Sequence, residues 1–131
     1  MSAALVFALS ACGQGSGQPA GDPLNGTSWA LASIDGAAAL PNVTATAAFA
    51  DGQVSGSGGC NSYGGSYTVN GDKIQIKQVV STLMACADQG VMDQESAFVG
   101  ALSKAKTFTI TDGKLEIQTA DGKTLAFSTQ K

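Results

Sequence analysis

Turn dipeptides recur so regularly along this chain that short strands are nearly all it can build. Asp-Gly occurs at Asp35-Gly36, Asp51-Gly52, Asp112-Gly113 and Asp121-Gly122, and Asn70-Gly71-Asp72 adds a fifth signal. Gly adopts φ > 0 freely and Asn and Asp tolerate it, so these pairs suit two-residue hairpin turns. The aspartates are accounted for by turn geometry and need no catalytic role. Between the turns lie runs alternating at period 2, the mark of half-buried strands. Tyr67 and Val69 face Ile74 and Ile76 across Asn70-Gly71, Phe108 and Ile110 lead into the next hairpin, and Leu115 and Ile117 face Leu125 and Phe127. Trp29 and Leu31 open the series, and Ala47 and Phe49 precede Asp51-Gly52.

One segment departs from this rhythm. Val91, Met92, Phe98, Val99 and Leu102 recur at helical spacing, with Asp88 placed as N-cap. The expected fold is mainly β (α+β): about eight short strands in a curled antiparallel sheet or partial barrel, with one α-helix near residues 90–104 packed across an opening. Such a sheet curls because open edges invite aggregation. Much of the apolar content is alanine, so the core rests on few side chains, the above together with Ile34.

The chemistry open to the chain is narrow. It has no histidine and no arginine, and its formal charge is −3. Histidine-based nucleophile pairs, His-based zinc sites and arginine clamps are excluded, and no basic stripe exists to neutralise nucleic-acid phosphates. No metal and no cofactor is expected.

The first residues carry an address. Ala3 to Leu9 is a short apolar run, and Leu9-Ser10-Ala11-Cys12 resembles the lipobox of bacterial lipoproteins, in which the cysteine receives lipid and the signal is removed. No Lys or Arg precedes the run, which points to a start truncated relative to the true one. Gly13 to Pro23 is built of Gly, Gln, Ser, Pro, Ala and one Asp, a tether composition. The expected organisation is a signal over residues 1–11, a lipid-anchored tether over 12–23 with lipid on Cys12, and a domain over 24–131. Lipid of this kind anchors a domain to a membrane surface without making it span. With Cys12 lipidated, Cys60 and Cys86 remain, the number needed for one bridge in an oxidising compartment. That bridge contributes about 3 kcal/mol on chain-entropy grounds; two free buried thiols are the alternative.

The densest glycine cluster runs from Val54 to Val69 and surrounds Cys60. It lacks the Gly-Lys-Ser/Thr ending of a phosphate loop. Its block Gly59-Cys60-Asn61-Ser62-Tyr63-Gly64-Gly65-Ser66-Tyr67, followed by Thr82-Leu83-Met84-Ala85-Cys86 and then Glu95 and Phe98, resembles the META domain family, to which the bacterial heat-shock protein HslJ belongs. The Trp29-x-Leu31 opening and the Leu125-x-Phe127 ending also fit, so the resemblance covers about residues 24 to 128. Leu83 departs from it, standing where many relatives carry a basic residue. The resemblance implies a curled antiparallel sheet with one helix, often on a secreted or lipid-anchored protein. It also implies stress-related roles, a likeness to secretin pilot lipoproteins, and no attached enzymatic activity.

Glu95 is the most informative charge, because it falls within the apolar stripe of the helix rather than opposite it. A carboxylate so placed must find donors or raise its pKa. Backbone amides or Asn61 are the expected donors, fastening the helix to the Gly-rich stretch; ligand or proton binding is the alternative. Asn61 reads as a clamp between strands. Tyr63 and Tyr67 lie on one strand face, Tyr67 in the core and Tyr63 beside a candidate groove with Trp29 and Phe98. The expected function is that of a non-enzymatic, lipid-anchored envelope protein serving stress response or envelope integrity. A binding or scaffold module for an envelope protein partner or a small apolar ligand is the alternative. The expected state is a monomer, exported and membrane-attached, facing the periplasm from the outer membrane if the cell is Gram-negative.

Overall fold

The computed structural model describes residues 22–130. Its elements run β1 (Thr27–Ile34), β2 (Ala37–Ala38), β3 (Thr46–Ala50), β4 (Gln53–Ser57), β5 (Ser62–Asn70), β6 (Lys73–Ser81), α1 (Gln89–Leu102), β7 (Ala105–Thr111), β8 (Lys114–Thr119) and β9 (Thr124–Thr129). Every pairing is antiparallel, and β1 pairs with β3 over Thr27–Ala30 and with β9 over Trp29–Ile34. That double engagement closes eight strands into a barrel, and β2 is a two-residue addition on the end of β1. Closure removes free edges. One seam is thin: β6 and β7 share a single register pair, Lys73 with Thr107, supported by the Phe108 N–H donating to the Asp72 carbonyl at 2.9 Å.

The turns obey the local chemistry. Asp35-Gly36, Asp51-Gly52 and Asp112-Gly113 have positive φ at both residues, the mirror-image turn that matches strand twist. At Asn70-Gly71 and Asp121-Gly122 only the glycine is left-handed. A different device bends β6. Gln78 has φ 56°, and the β5–β6 register shifts between Gly64 and Ser66, which makes a bulge. Gly65 lies against it. A Cβ there would stand 2.9 Å from the Lys77 carbonyl oxygen, so this position admits only glycine.

The helix begins where Asp88 accepts from the N–H groups of Gly90 (2.8 Å) and Val91 (3.4 Å). It turns Val91, Glu95, Phe98, Ala101 and Leu102 inward. Phe98 is fully buried and meets Tyr63 and Phe127 edge-on, with ring centroids 5.5 and 6.0 Å apart, while Phe49 meets Tyr67 at 5.0 Å. The core contains most of the expected residues and also Leu24, Ala45, Val54 and Tyr63. Ile110 was expected there and is instead 37% exposed near the end of β7, and Ile34 and Val69 are only half-buried. The domain also reaches further toward the N-terminus than composition indicates. The Tyr67 hydroxyl donates to Asp22 Oδ2 at 2.9 Å, and Leu24 is fully buried. Cys12, the signal and most of the tether lie outside the described residues.

Candidate functional site

Three pieces of chain meet at one end of the barrel: the Gly58-Gly59-Cys60-Asn61 turn between β4 and β5, the strap Thr82–Cys86 after β6, and the first half of α1. Glycine makes the first approach possible. A Cβ on Gly58 would fall 2.6 Å from Glu95 Cγ, and Gly59 has φ +122° beside Val43 and Val91. The backbone therefore passes directly under the helix.

Glu95 fastens that approach. Its Oε1 accepts the N–H of Cys60 at 3.1 Å and of Asn61 at 2.5 Å, and its Oε2 accepts Asn61 Nδ2 at 2.7 Å. Burial pushes the carboxyl pKa up, but the bonds donated by the Asn61 side chain and by the Asn61 and Cys60 amides outweigh it. They hold the group below the ordinary 4.5. The carboxylate is thus ionised at neutral pH, with both oxygens engaged by hydrogen bonds.

Asn61 is the hub. Besides binding Glu95, its Nδ2 donates to the Met84 carbonyl at 3.1 Å, while its Oδ1 accepts from the Met84 N–H at 2.7 Å and from Thr82 Oγ1 at 2.8 Å. All four hydrogen-bonding positions of the carboxamide are used. Thr82 Oγ1 also accepts the Ser62 N–H at 3.2 Å, and the Thr82 N–H donates to the Ser62 carbonyl at 3.0 Å. Cys60 and Cys86 form a disulfide with Cα atoms 6.1 Å apart, so the strap is held covalently as well.

The residues singled out in the sequence separate into three groups. Gly59, Cys60, Asn61, Thr82, Met84, Cys86 and Glu95 converge on the clamp. Gly65 serves the bulge, and Tyr67 and Phe98 serve the core. The groove expected from Trp29, Tyr63 and Phe98 does not exist among the described residues. These side chains are 3%, 5% and 0% exposed, Trp29 Nε1 donates to Thr27 Oγ1 at 2.8 Å, and the Tyr63 hydroxyl donates to the Thr46 carbonyl at 2.6 Å. Their large rings fill the barrel, leaving no opening for them to line.

An open cleft lies instead between strap and helix. It has a volume of about 430 Å³, with Ser81 to Ala85 along one side, Met92, Ser96 and Val99 of α1 along the other, and Asn61 and Glu95 among its lining. Leu83 is 95% and Met84 57% exposed at its rim; Val80, 70% exposed, lies over a separate depression beside Gly64 and Gly65. Sequence reasoning missed Met92 and Val99 as lining residues because their helical spacing looks like core spacing. The one available signal was Leu83-Met84, two large apolar residues in a segment with no periodicity. Among the described residues no cluster of His, Cys, Asp or Glu is arranged to hold a metal, and no helix is long and apolar enough to cross a membrane.

The comparisons agree with this geometry. The chain is similar to a protein from Burkholderia xenovorans solved by NMR, with TM-score 0.71 and 28% identity over 82% of this chain and 84% of that one. A second NMR structure gives TM-score 0.67 at 21% identity, covering 81% of this chain and 91% of that one. A duf4847 family protein from Bacteroides vulgatus, known from a crystal structure, gives 0.60 at 14% identity, covering 83% and 97%. The last two show likeness of fold alone. No curated protein sequence matches. The META domain profile matches residues 22–131, from the Asp22 that binds Tyr67 through the final strand, and the chain therefore belongs to the META domain family.

Proposed function

We propose that this chain is a non-enzymatic, lipid-anchored META-domain protein of the bacterial cell envelope that acts by binding a partner at the cleft between strap and helix. The observation that carries this reading is the placement of Leu83 and Met84 on the surface at that cleft, while every other large apolar side chain but Val80 and Ile110 is at least partly withdrawn among the described residues. Exposed apolar side chains gathered in one place mark interaction sites. Turnover is disfavoured by the state of the nearby groups. Glu95 is engaged by three hydrogen bonds, Cys60 and Cys86 are in a disulfide, and no histidine stands by to activate Ser81 or Ser96.

Membership of the META family supports association with the envelope, and the Leu9-Ser10-Ala11-Cys12 pattern supports attachment through lipid on Cys12. A role in envelope integrity under stress, of the kind associated with HslJ, is then exercised through the cleft by a monomeric domain on its tether. Two variants test the reading. Cys12→Ser moves the protein from the membrane fraction to the soluble fraction. Leu83→Asp with Met84→Asp keeps the melting temperature within about 2 °C yet fails to restore the envelope-stress tolerance of a deletion strain. Full restoration by the double variant sinks the cleft as the working surface.

A further inference from the structure

The strap is an extended ribbon with one paired side and one open side. The Thr82 N–H donates to the Ser62 carbonyl, and the Met84 N–H and carbonyl are both bound by the Asn61 carboxamide. The amide of Asn61 offers Met84 one acceptor and one donor, as a neighbouring strand's peptide does. It thereby continues the β5–β6 ladder past the end of β6. Successive peptide groups of an extended chain point to opposite sides. The backbone groups of Ser81 and Leu83 therefore face away from β5. Among the described residues no strand occupies that side, because β6 meets β7 only at Lys73 and Thr107, far down the strand. All residues from Val80 to Cys86 are exposed.

We propose that the open edge of Ser81–Ala85 receives an extended segment of a partner protein, which adds to the barrel as a further strand. The proposal rests on the reading of the cleft as a binding surface and specifies its occupant. An open strand edge recognises an extended peptide by main-chain hydrogen bonds, with side-chain pockets supplying selectivity. Here the cleft bordered by Met92 and Val99 takes an apolar side chain of the segment. Charge narrows the class further. From Lys73 to Ala87 the only charged residues are Lys73 and Lys77, on a chain of net charge −3. The segment is therefore apolar where it passes Leu83 and acidic where it runs past Lys77, about 20 Å along the strand direction. A lipid or small apolar ligand would leave the edge donors and acceptors unused. A second copy of this chain would bring only a five-residue ribbon to each side, far less than the roughly 1,200 Å² of a stable interface.

The test places a photocrosslinking benzoylphenylalanine at Leu83 or at Val99 in the full-length protein, expressed in its native envelope, with crosslinked peptides mapped by mass spectrometry. Both sites are expected to capture one partner segment with alternating apolar residues and a carboxylate. Ser81→Pro, which removes an outward N–H without touching a bond to β5, lowers the yield at Leu83 at least tenfold. Should that variant melt more than 5 °C lower, Leu83→Asp with the crosslinker moved to Val80 replaces it, and the same tenfold loss is expected. Capture that persists in these variants, or capture of lipid or of a second copy, overturns strand addition. Yield at Val99 that survives while the edge variants change nothing leaves the cleft as a binding site and removes only the strand geometry. No capture at either position overturns both.

Discussion

Replacing Glu95 by Gln tests whether a single ionised carboxylate holds the helix to the barrel end. Gln has the same shape, and its amide oxygen can keep the bonds from the Cys60 and Asn61 N–H groups. Its amide nitrogen must then face Asn61 Nδ2, which stands 2.7 Å from Oε2 in the native arrangement. One charge-assisted bond is lost and a donor is set against a donor, for about 2–3 kcal/mol. In a domain of about a hundred residues this lowers the melting temperature by about 8–12 °C. Glu95→Ala strands all three donors, two of them on buried Asn61, and costs about 3–5 kcal/mol. The pH dependence gives the sharper check. The folded-state pKa is held below the ordinary 4.5, so the carboxylate's contribution is fully present above that value and is lost as pH falls through the folded pKa. A protonated Glu is nearly the isostere of Gln. Melting followed by circular dichroism from pH 7 to pH 2.5 is therefore expected to show the two proteins converging as acid is added. A gap between wild type and Glu95→Gln that stays constant over the whole range would refute the ionised clamp.

Reduction of Cys60–Cys86 in the native fold, checked by thermal melting with and without a strong reductant, is expected to cost about 3 kcal/mol for its sequence separation of 26 residues, or about 12 °C. The strap should remain bound to Asn61 at low temperature, seen as retained hydrogen-exchange protection of the Thr82 and Met84 amides. Gly58→Ala places a methyl 2.6 Å from Glu95 Cγ and 2.7 Å from Oε1, so the clamp must shift. The expected loss is about 1–3 kcal/mol by chemical denaturation, and an unchanged midpoint contradicts the close approach. Burial pushes the phenols of Tyr63 and Tyr67 well above their usual 10.0, with the bond to Asp22 adding to the effect at Tyr67. For an acid that is neutral when protonated, a raised folded pKa means stability intact below pH 10 and lost above it. Phenolate absorbance at 295 nm should therefore appear together with unfolding in alkali, and a fully reversible titration of both rings in the folded protein contradicts their burial.

The parts of this fold that could be read in advance are those written in local chemistry. Asp35-Gly36, Asp51-Gly52 and Asp112-Gly113 dictate hairpins by backbone sterics alone, and Asp88 marks the helix start by its capping geometry. Glu95 was legible for the opposite reason. It breaks the apolar stripe of α1, and a breach of periodicity has to be compensated by donors from somewhere. What local chemistry does not encode is register over long range. Closure depends on β1 pairing with both β3 and β9, and alternation alone says nothing about which strand β1 meets. Ile110 carries the pattern of a core residue yet lies partly exposed, near the end of β7. Tyr63 shows the converse: expected beside a groove with Trp29 and Phe98, it lies inside the barrel, where the Thr46 carbonyl accepts from its hydroxyl.

The cleft was hidden for a related reason. Its apolar rim belongs to residues without secondary-structure periodicity, held extended by a side chain rather than by a strand. The Asn61 carboxamide spends its whole hydrogen-bonding capacity on Glu95, Thr82 and the Met84 backbone, and so holds the strap in shape. A core demands only that Leu83 and Met84 be turned inward or replaced. Disulfide, carboxamide and carboxylate together keep them out, at the cost of a buried charge and a crowded glycine turn. The disulfide and the Asn61 carboxamide fasten this short apolar ribbon directly and Glu95 secures Asn61, which exceeds what a connecting loop needs and accords with the proposal that the ribbon's outer side is the working surface.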